Sequence, residues 1–149
     1  MYIPNDLCTD GTNYLHVLLF QWIQWHSQAH VLLAGTSDGG GWMWRIPSGD
    51  CKTFQGHNMK NTCGAIMKDG RHTAFGYEDG VIKIWDLKEG TPLINVAAPL
   101  GHSAAVTSFA VHSDNVLLLS GSEDSTAKLI NANTGKVGHF YTSHTIEAS

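Results

Sequence analysis

One short phrase occurs three times in this chain, and that repetition limits the possible folds more than any other feature. The copies are Gly35-Thr-Ser-Asp38-Gly39, Gly76-Tyr-Glu-Asp79-Gly80 and Gly121-Ser-Glu-Asp124-Ser125. An apolar run precedes each: Val31–Ala34, Thr73–Phe75 and Val116–Leu119. Six residues after each Asp stands Trp44, Trp85 or Ile130, and eleven after it Gly49, Gly90 or Gly135. Twenty-two residues before it stands His16, His57 or His102. The aspartates are 41 and 45 residues apart, and the four extra residues fall between Gly90 and Gly101, outside the repeated phrases. A fixed period of this length is the mark of one supersecondary unit used over and over.

The unit reads as four short strands. In the second copy they are expected near 62–67, 72–76, 81–85 and 92–95. Val81-Ile-Lys-Ile-Trp85 has the β-branched and aromatic character of a strand. The segments between strands hold Lys68-Asp-Gly70, Glu78-Asp-Gly80 and Lys88-Glu-Gly90, where glycine supplies a positive φ. No stretch keeps apolar residues at helical spacing over a dozen positions. Sixteen glycines against four prolines suit many tight turns. Four antiparallel strands in ~43 residues, repeated, is the arithmetic of a propeller blade. The expected fold is all-β: about three four-stranded blades of an incomplete ring. The boundaries are an irregular segment 1–14, repeats at about 15–56, 57–100 and 101–144, and a tail 145–149.

The Gly-His pairs at Gly56-His57 and Gly101-His102, the turn Asp and Trp85-Asp86 resemble the WD40 repeat family. The likeness is densest from Trp22 to Val137, where it follows the middle of a seven-bladed member. It implies a ring of which this chain holds about three blades; a closed one needs ~300 residues at this period. It also implies a non-catalytic scaffold for protein–protein interaction, tied to cell migration and angiogenesis. A fungal relative's likeness to a chaperone of a ribosomal protein adds a basic segment of a ribosomal or signalling protein as partner. The implied location is the cytoplasm, with the nucleus and the cell-surface periphery as further addresses.

In such blades the loop His, turn Asp and third-strand Trp form a buried hydrogen-bonded chain with a second-strand Ser or Thr. A tight turn leaves backbone N–H groups unpaired, a carboxylate accepts them, and the His links it onward. Carried onto this sequence, the second repeat offers His57, Asp79 and Trp85 with Phe75 in place of the hydroxyl residue. The third offers His102, Ser120 and Asp124 with Ile130 in place of Trp. The first offers Asp38, Trp44 and His16, with Ala34 at the second-strand position. Residues before each Asp (Ser37, Glu78, Glu123) and after each Gly-His (Asn58, Ser103, Ala104) should share one end of the sheets. Glu78 and Glu123 make that end acidic, which suits a basic partner.

Other signals are weaker than the repeat. Gly35-Thr-Ser37-Asp-Gly39 matches the G-x-S-x-G nucleophile elbow, but Ser37 is equivalent to Glu78 and Glu123, and no helix pattern follows. His26 and His30 have metal-ligand spacing only on a helix, and they fall in a predicted turn. Asn133-Thr-Gly-Lys136 lacks the rest of a P-loop. The tryptophans Trp22, Trp25, Trp42 and Trp44 are expected to pack between blades, with Trp42 and Trp44 on one side of a strand and Met43 on the other. No catalytic residue, cofactor or metal is therefore assigned. A net charge of −4 argues against nucleic acid and anionic membranes as partners. No run approaches the ~20 apolar residues of a membrane span. Cys8, Cys51 and Cys63 are odd in number and have no C-x-x-C spacing, so they read as free thiols. Open end strands of an incomplete ring invite self-association.

Overall fold

The computed structural model describes residues 19–142, with side chains through 138. The expected positions His16 and Cys8 lie outside them. Twelve strands occur among the described residues, and they form three four-stranded antiparallel sheets. Sheet 1 is β1 (Phe20–Trp25), β2 (Val31–Thr36), β3 (Gly41–Arg45) and β4 (Cys51–Phe54). Sheet 2 is β5 (Asn61–Ile66), β6 (His72–Tyr77), β7 (Ile82–Asp86) and β8 (Pro92–Val96). Sheet 3 is β9 (Val106–Val111), β10 (Leu117–Ser122), β11 (Thr126–Asn131) and β12 (Val137–Thr142). Strands neighbour one another in chain order within every sheet. No helix of the described residues is long and apolar enough to cross a membrane.

The sheets stand side by side and meet mainly through their first strands. β5 lies against β1 and β2, and β9 lies against β5 and β6. The pairing carries a bulge at the equivalent place in each sheet: Phe20/Trp22, Asn61/Cys63 and opposite Gly121/Ser122. Such bulges bend the strand where it approaches its neighbour.

Strand alternation sends side chains to the two gaps between sheets. Between sheets 1 and 2 pack Leu33, Phe54, Phe75, Tyr77, Trp85 and Leu87, joined by Trp22 and Met43. Phe54 and Phe75 meet edge-on at 5.8 Å, and Phe54 and Trp85 at 5.7 Å. Between sheets 2 and 3 the filling is smaller and mostly aliphatic: Met67, Ala74, Ile82, Ile84, Val106, Leu118 and Ile130. Cys63 belongs to this layer as a free thiol, and burial pushes it up to about 12 against the hydrogen bonds of Thr62 and Gly76. Cys51 is disulfide-bonded, which corrects the reading of every cysteine as a free thiol. It sits half-buried on the edge strand β4, where a second sulfur has access, whereas Cys63 is sealed between sheets.

The tryptophans divide by face. Trp22 and Trp85 pack between sheets 1 and 2. Trp42 and Trp44 stack at 5.9 Å on the far side of sheet 1, and Met43 faces sheet 2. Trp25, Trp42 and Trp44 depart from the expected packing between sheets, because their side of sheet 1 has no neighbouring sheet among the described residues; Trp25 is 59% exposed.

Candidate functional site

The three aspartate turns lie at one end of the sheets, each between the second and third strands. Their backbone anchoring repeats. Ser37 N donates to Leu19 O, Glu78 N to Lys60 O and Glu123 N to Ala105 O, so every turn is tied to the residue just before a first strand. Each turn also leans on the next repeat. Gly80 has φ +89°, and a Cβ there would lie 2.1 Å from His102 O; Gly39 has φ +92° and the same relation to His57 O, at 2.2 Å. Glycine at these turns therefore answers both a left-handed backbone and a close approach by the following loop.

Sheet 3 holds the fullest polar network. His102 is 1% exposed. Its Nδ1–H donates to Asp124 Oδ2 at 2.9 Å, and its Nε2 lies 2.8 Å from the Ser120 hydroxyl, which reaches on to Lys128 O at 3.3 Å. Asp124 also accepts from Ser103 N (3.0 Å), Thr126 N (2.8 Å) and the Thr126 hydroxyl (2.6 Å). Burial alone would raise the Asp124 carboxyl; the Thr126 hydroxyl, the two backbone N–H groups and His102 outweigh it and hold the group well below the usual carboxylate range. Ile130 occupies the Trp position and fills the apolar layer.

Sheet 2 keeps half of this arrangement. His57 Nε2–H donates to Asp79 Oδ2 at 2.8 Å, and Val81 N donates to Asp79 Oδ1 at 3.2 Å. Phe75 cannot extend the chain of bonds. Trp85 Nε1 and the Tyr77 hydroxyl are buried with no hydrogen-bond partner among the described residues, and burial pushes the Tyr77 hydroxyl up. The His57 ring packs against Tyr77 at 4.4 Å instead. In sheet 1, Asp38 accepts from Gly40 N at 3.0 Å and from the Thr36 hydroxyl, while Trp44 Nε1 has no partner among the described residues. Ala34 lies beside Trp44 in the apolar patch.

Sequence reasoning passed over three residues here. Thr36 and Thr126 stand two residues before and two after the turn Asp, and each gives it a hydroxyl proton. Asn61 is fully buried, accepts from Trp22 Nε1 at 2.8 Å and donates to Gly40 O at 3.3 Å, linking sheets 1 and 2. The two threonines were visible as hydroxyls flanking the repeated Asp. Asn61 had no signal, since Phe20 and Val106 take the equivalent place.

Around this frame the outward side chains are polar. Asp38, Glu78, Asp79 and Glu123 are exposed on the turns, and Asn58 and Ser103 beside them; Ser37 and Ala104 are half-buried. Lys60 is half-buried, and Lys83 Nζ donates to Gly56 O at 2.7 Å. The end is repetitive, and its exposed charged side chains are mostly acidic. Ser37, the formal elbow serine, is followed by a β-turn and β3. At the opposite end His26 Nε2 contacts Gly70 O at 2.9 Å, a link between repeats.

A family profile described as WD domain, G-beta repeat matches residues 49–86 and 95–131. The human angio-associated migratory cell protein is 52% identical over 117 residues, 78% of this chain and 27% of that protein. U3 small nucleolar RNA-associated protein 12 of Saccharomyces cerevisiae is 47% identical over 98 residues, 66% of this chain and 9% of its own length. The crystal structure of the RRP9 WD40 repeats superposes with a TM-score of 0.79 at 23% identity, over 87% of this chain and 40% of that one.

Proposed function

Because the chain belongs to the WD40 repeat family, we propose that it is a non-catalytic interaction module whose docking surface is the end carrying the aspartate turns. The observation behind this reading is the threefold anchoring of Ser37, Glu78 and Glu123 to the loops before β1, β5 and β9. It presents equivalent positions on a rigid frame, and rigid presentation lowers the ordering cost of binding. His57, Asp79, Trp85, His102, Ser120, Asp124, Asp38 and Trp44 serve that frame as structural residues, and Asn58 and Ser103 join the docking surface.

The chain spans about a quarter of the migratory-cell relative, so the process it serves is part of the proposal. That relative's name supports cell migration, and the small nucleolar RNA-associated relative supports ribosome assembly in the nucleus; a cytoplasmic pool suits both. A basic segment of a ribosomal or signalling protein fits the acidic turns. The test is a pull-down with a lysine-rich ribosomal-protein tail peptide, comparing the chain with the variant carrying Glu78→Lys and Glu123→Lys. The variant should recover at least tenfold less peptide, and raised salt should weaken the wild-type interaction. Equal recovery removes the reading. A second copy of the chain is a further partner, favoured by the exposure of Phe20, Ile23 and Trp25 on β1.

A further inference from the structure

We propose that the end carrying the aspartate turns is polarised, apolar over repeat 1 and acidic over repeats 2 and 3, and that it takes a peptide segment with apolar residues at one end and basic residues at the other. This rests on the docking reading above and adds to it which part of the segment lies where.

The loops that flank each turn carry the difference. The first turn has Leu19 on one side, whose carbonyl accepts from Ser37 N at 2.9 Å. On its other side is Met59, whose carbonyl a Cβ at Gly39 would meet at 2.7 Å. Both side chains are exposed, Leu19 by 58% and Met59 by 39%. The second turn stands between Lys60, whose carbonyl accepts from Glu78 N, and Ala104, whose carbonyl a Cβ at Gly80 would meet at 2.9 Å. The third turn is tied to Ala105. The large apolar side chains beside the turns are thus confined to the first. Leu100 is also exposed, but its backbone is held by Lys128 of β11 and not by a turn.

Charge follows the same division. The position before the turn Asp is Ser37 in repeat 1 and Glu78 and Glu123 in repeats 2 and 3. Asp38 is the acidic group of the apolar half, and its Oδ1 accepts from Gly40 N and the Thr36 hydroxyl. Glu78 and Glu123 are exposed and make no side-chain hydrogen bond or ion pair among the described residues, so both are available to a cation. Lys83 and Lys128 are turned to the carbonyls of the loops before β5 and β9, and Lys60 is half-buried.

Two chemistries on one surface select the ligand. Apolar contact sealed from water supplies most of an interface's affinity, while exposed charges steer and orient. Methionine suits the first task, because its unbranched thioether adapts to varied apolar partners. A segment basic throughout leaves Leu19 and Met59 uncovered, and one apolar throughout leaves Glu78 and Glu123 without counter-charge. Stacked sheets stand ~10 Å apart and an extended chain rises ~3.3 Å per residue, so about six residues reach from the first turn to the third.

The test is NMR titration of the full chain with the acetylated, amidated peptide Leu-Leu-Ser-Gly-Ser-Lys-Gly-Lys, and with a control in which both leucines are serine. The leucine peptide should bind at least fivefold more tightly than the control. A nitroxide on its leucine end should broaden the amide signals of Ser37 and Met59, and one on its lysine end those of Ser103 and Glu123. Met59→Ser should weaken the leucine peptide at least threefold and leave the control unchanged, a difference that a merely structural role would not produce. Equal affinity of the two peptides, the same broadening from either label, or equal loss of both peptides in Met59→Ser would overturn the polarised placement and leave the docking surface standing. Absence of any response at this end to either lysine peptide would overturn both.

Discussion

At the position where Ser120 links His102 to the third-strand backbone, sheet 2 has Phe75, and the exchange is decided by magnitudes. A hydroxyl there would give Trp85 Nε1 a partner, worth about 1 kcal/mol net. The phenyl ring packs against Trp22, Phe54 and Trp85 with centroids 5.6, 5.8 and 6.2 Å away. Removing such a ring costs about 3–5 kcal/mol. Phe75→Ser, which restores the family's residue type, should therefore destabilise the chain by about 2–4 kcal/mol in urea denaturation; a stabilised variant would show that the network outweighs the packing. Asp124 poses a titration question instead. Its carboxyl is held below the unfolded value, so its contribution is complete above about pH 5 and is lost as pH falls through the folded value. Melting temperature should fall as the pH drops below about 4, the usual carboxylate value, more steeply in the wild type than in Asp124→Asn. Asp69, Asp86 and Asp114 are shifted in the same direction, so the slope should shrink without vanishing. Identical profiles would remove Asp124 from the linkage.

At the scale of elements, the aspartate turn is a joint between repeats as well as a reversal of the chain. Gly80 accepts a hydrogen bond at its carbonyl from His102 N at 3.1 Å, and its α-carbon faces His102 O. Gly80→Ala forces a side chain into left-handed backbone, at about 1–2 kcal/mol, and drives Cβ into a carbonyl that cannot withdraw without separating sheets 2 and 3. The combined loss should exceed 2 kcal/mol, a rough minimum for strain plus contact, and the amides of His102 and Ser103 should lose hydrogen-exchange protection. In the third turn Ser125 takes φ +69°. No described loop follows sheet 3 to lean on it, which is why a side chain fits there.

At the scale of the whole molecule, the three sheets of the described residues make two internal interfaces and leave an outer sheet at each end. Phe20, Ile23 and Trp25 are 37–59% exposed on β1, and Leu119 is 37% exposed on β10. Apolar surface of this kind on open sheets favours association. Light scattering after size exclusion should give a mass above the 16.2 kDa of one chain at micromolar concentration. A single-chain mass together with a sharp cooperative melt would contradict it.

The sequence by itself settled the architecture, because a turn that needs glycine or aspartate at fixed offsets writes its period into the chain. The strands of the second repeat were legible to within a residue at most ends. It also showed which members of each set of His, Ser or Thr, Asp and Trp were missing, since Phe75 and Ile130 are visible as exceptions to a pattern. Tertiary structure alone decided what those exceptions do. That Phe75 anchors an aromatic gap, that Asn61 bridges two sheets, and that Cys51 is bonded while Cys63 is sealed all depend on side chains brought together from different repeats. Periodicity describes what is the same in every copy, whereas packing is set by the particular volumes that meet across a gap.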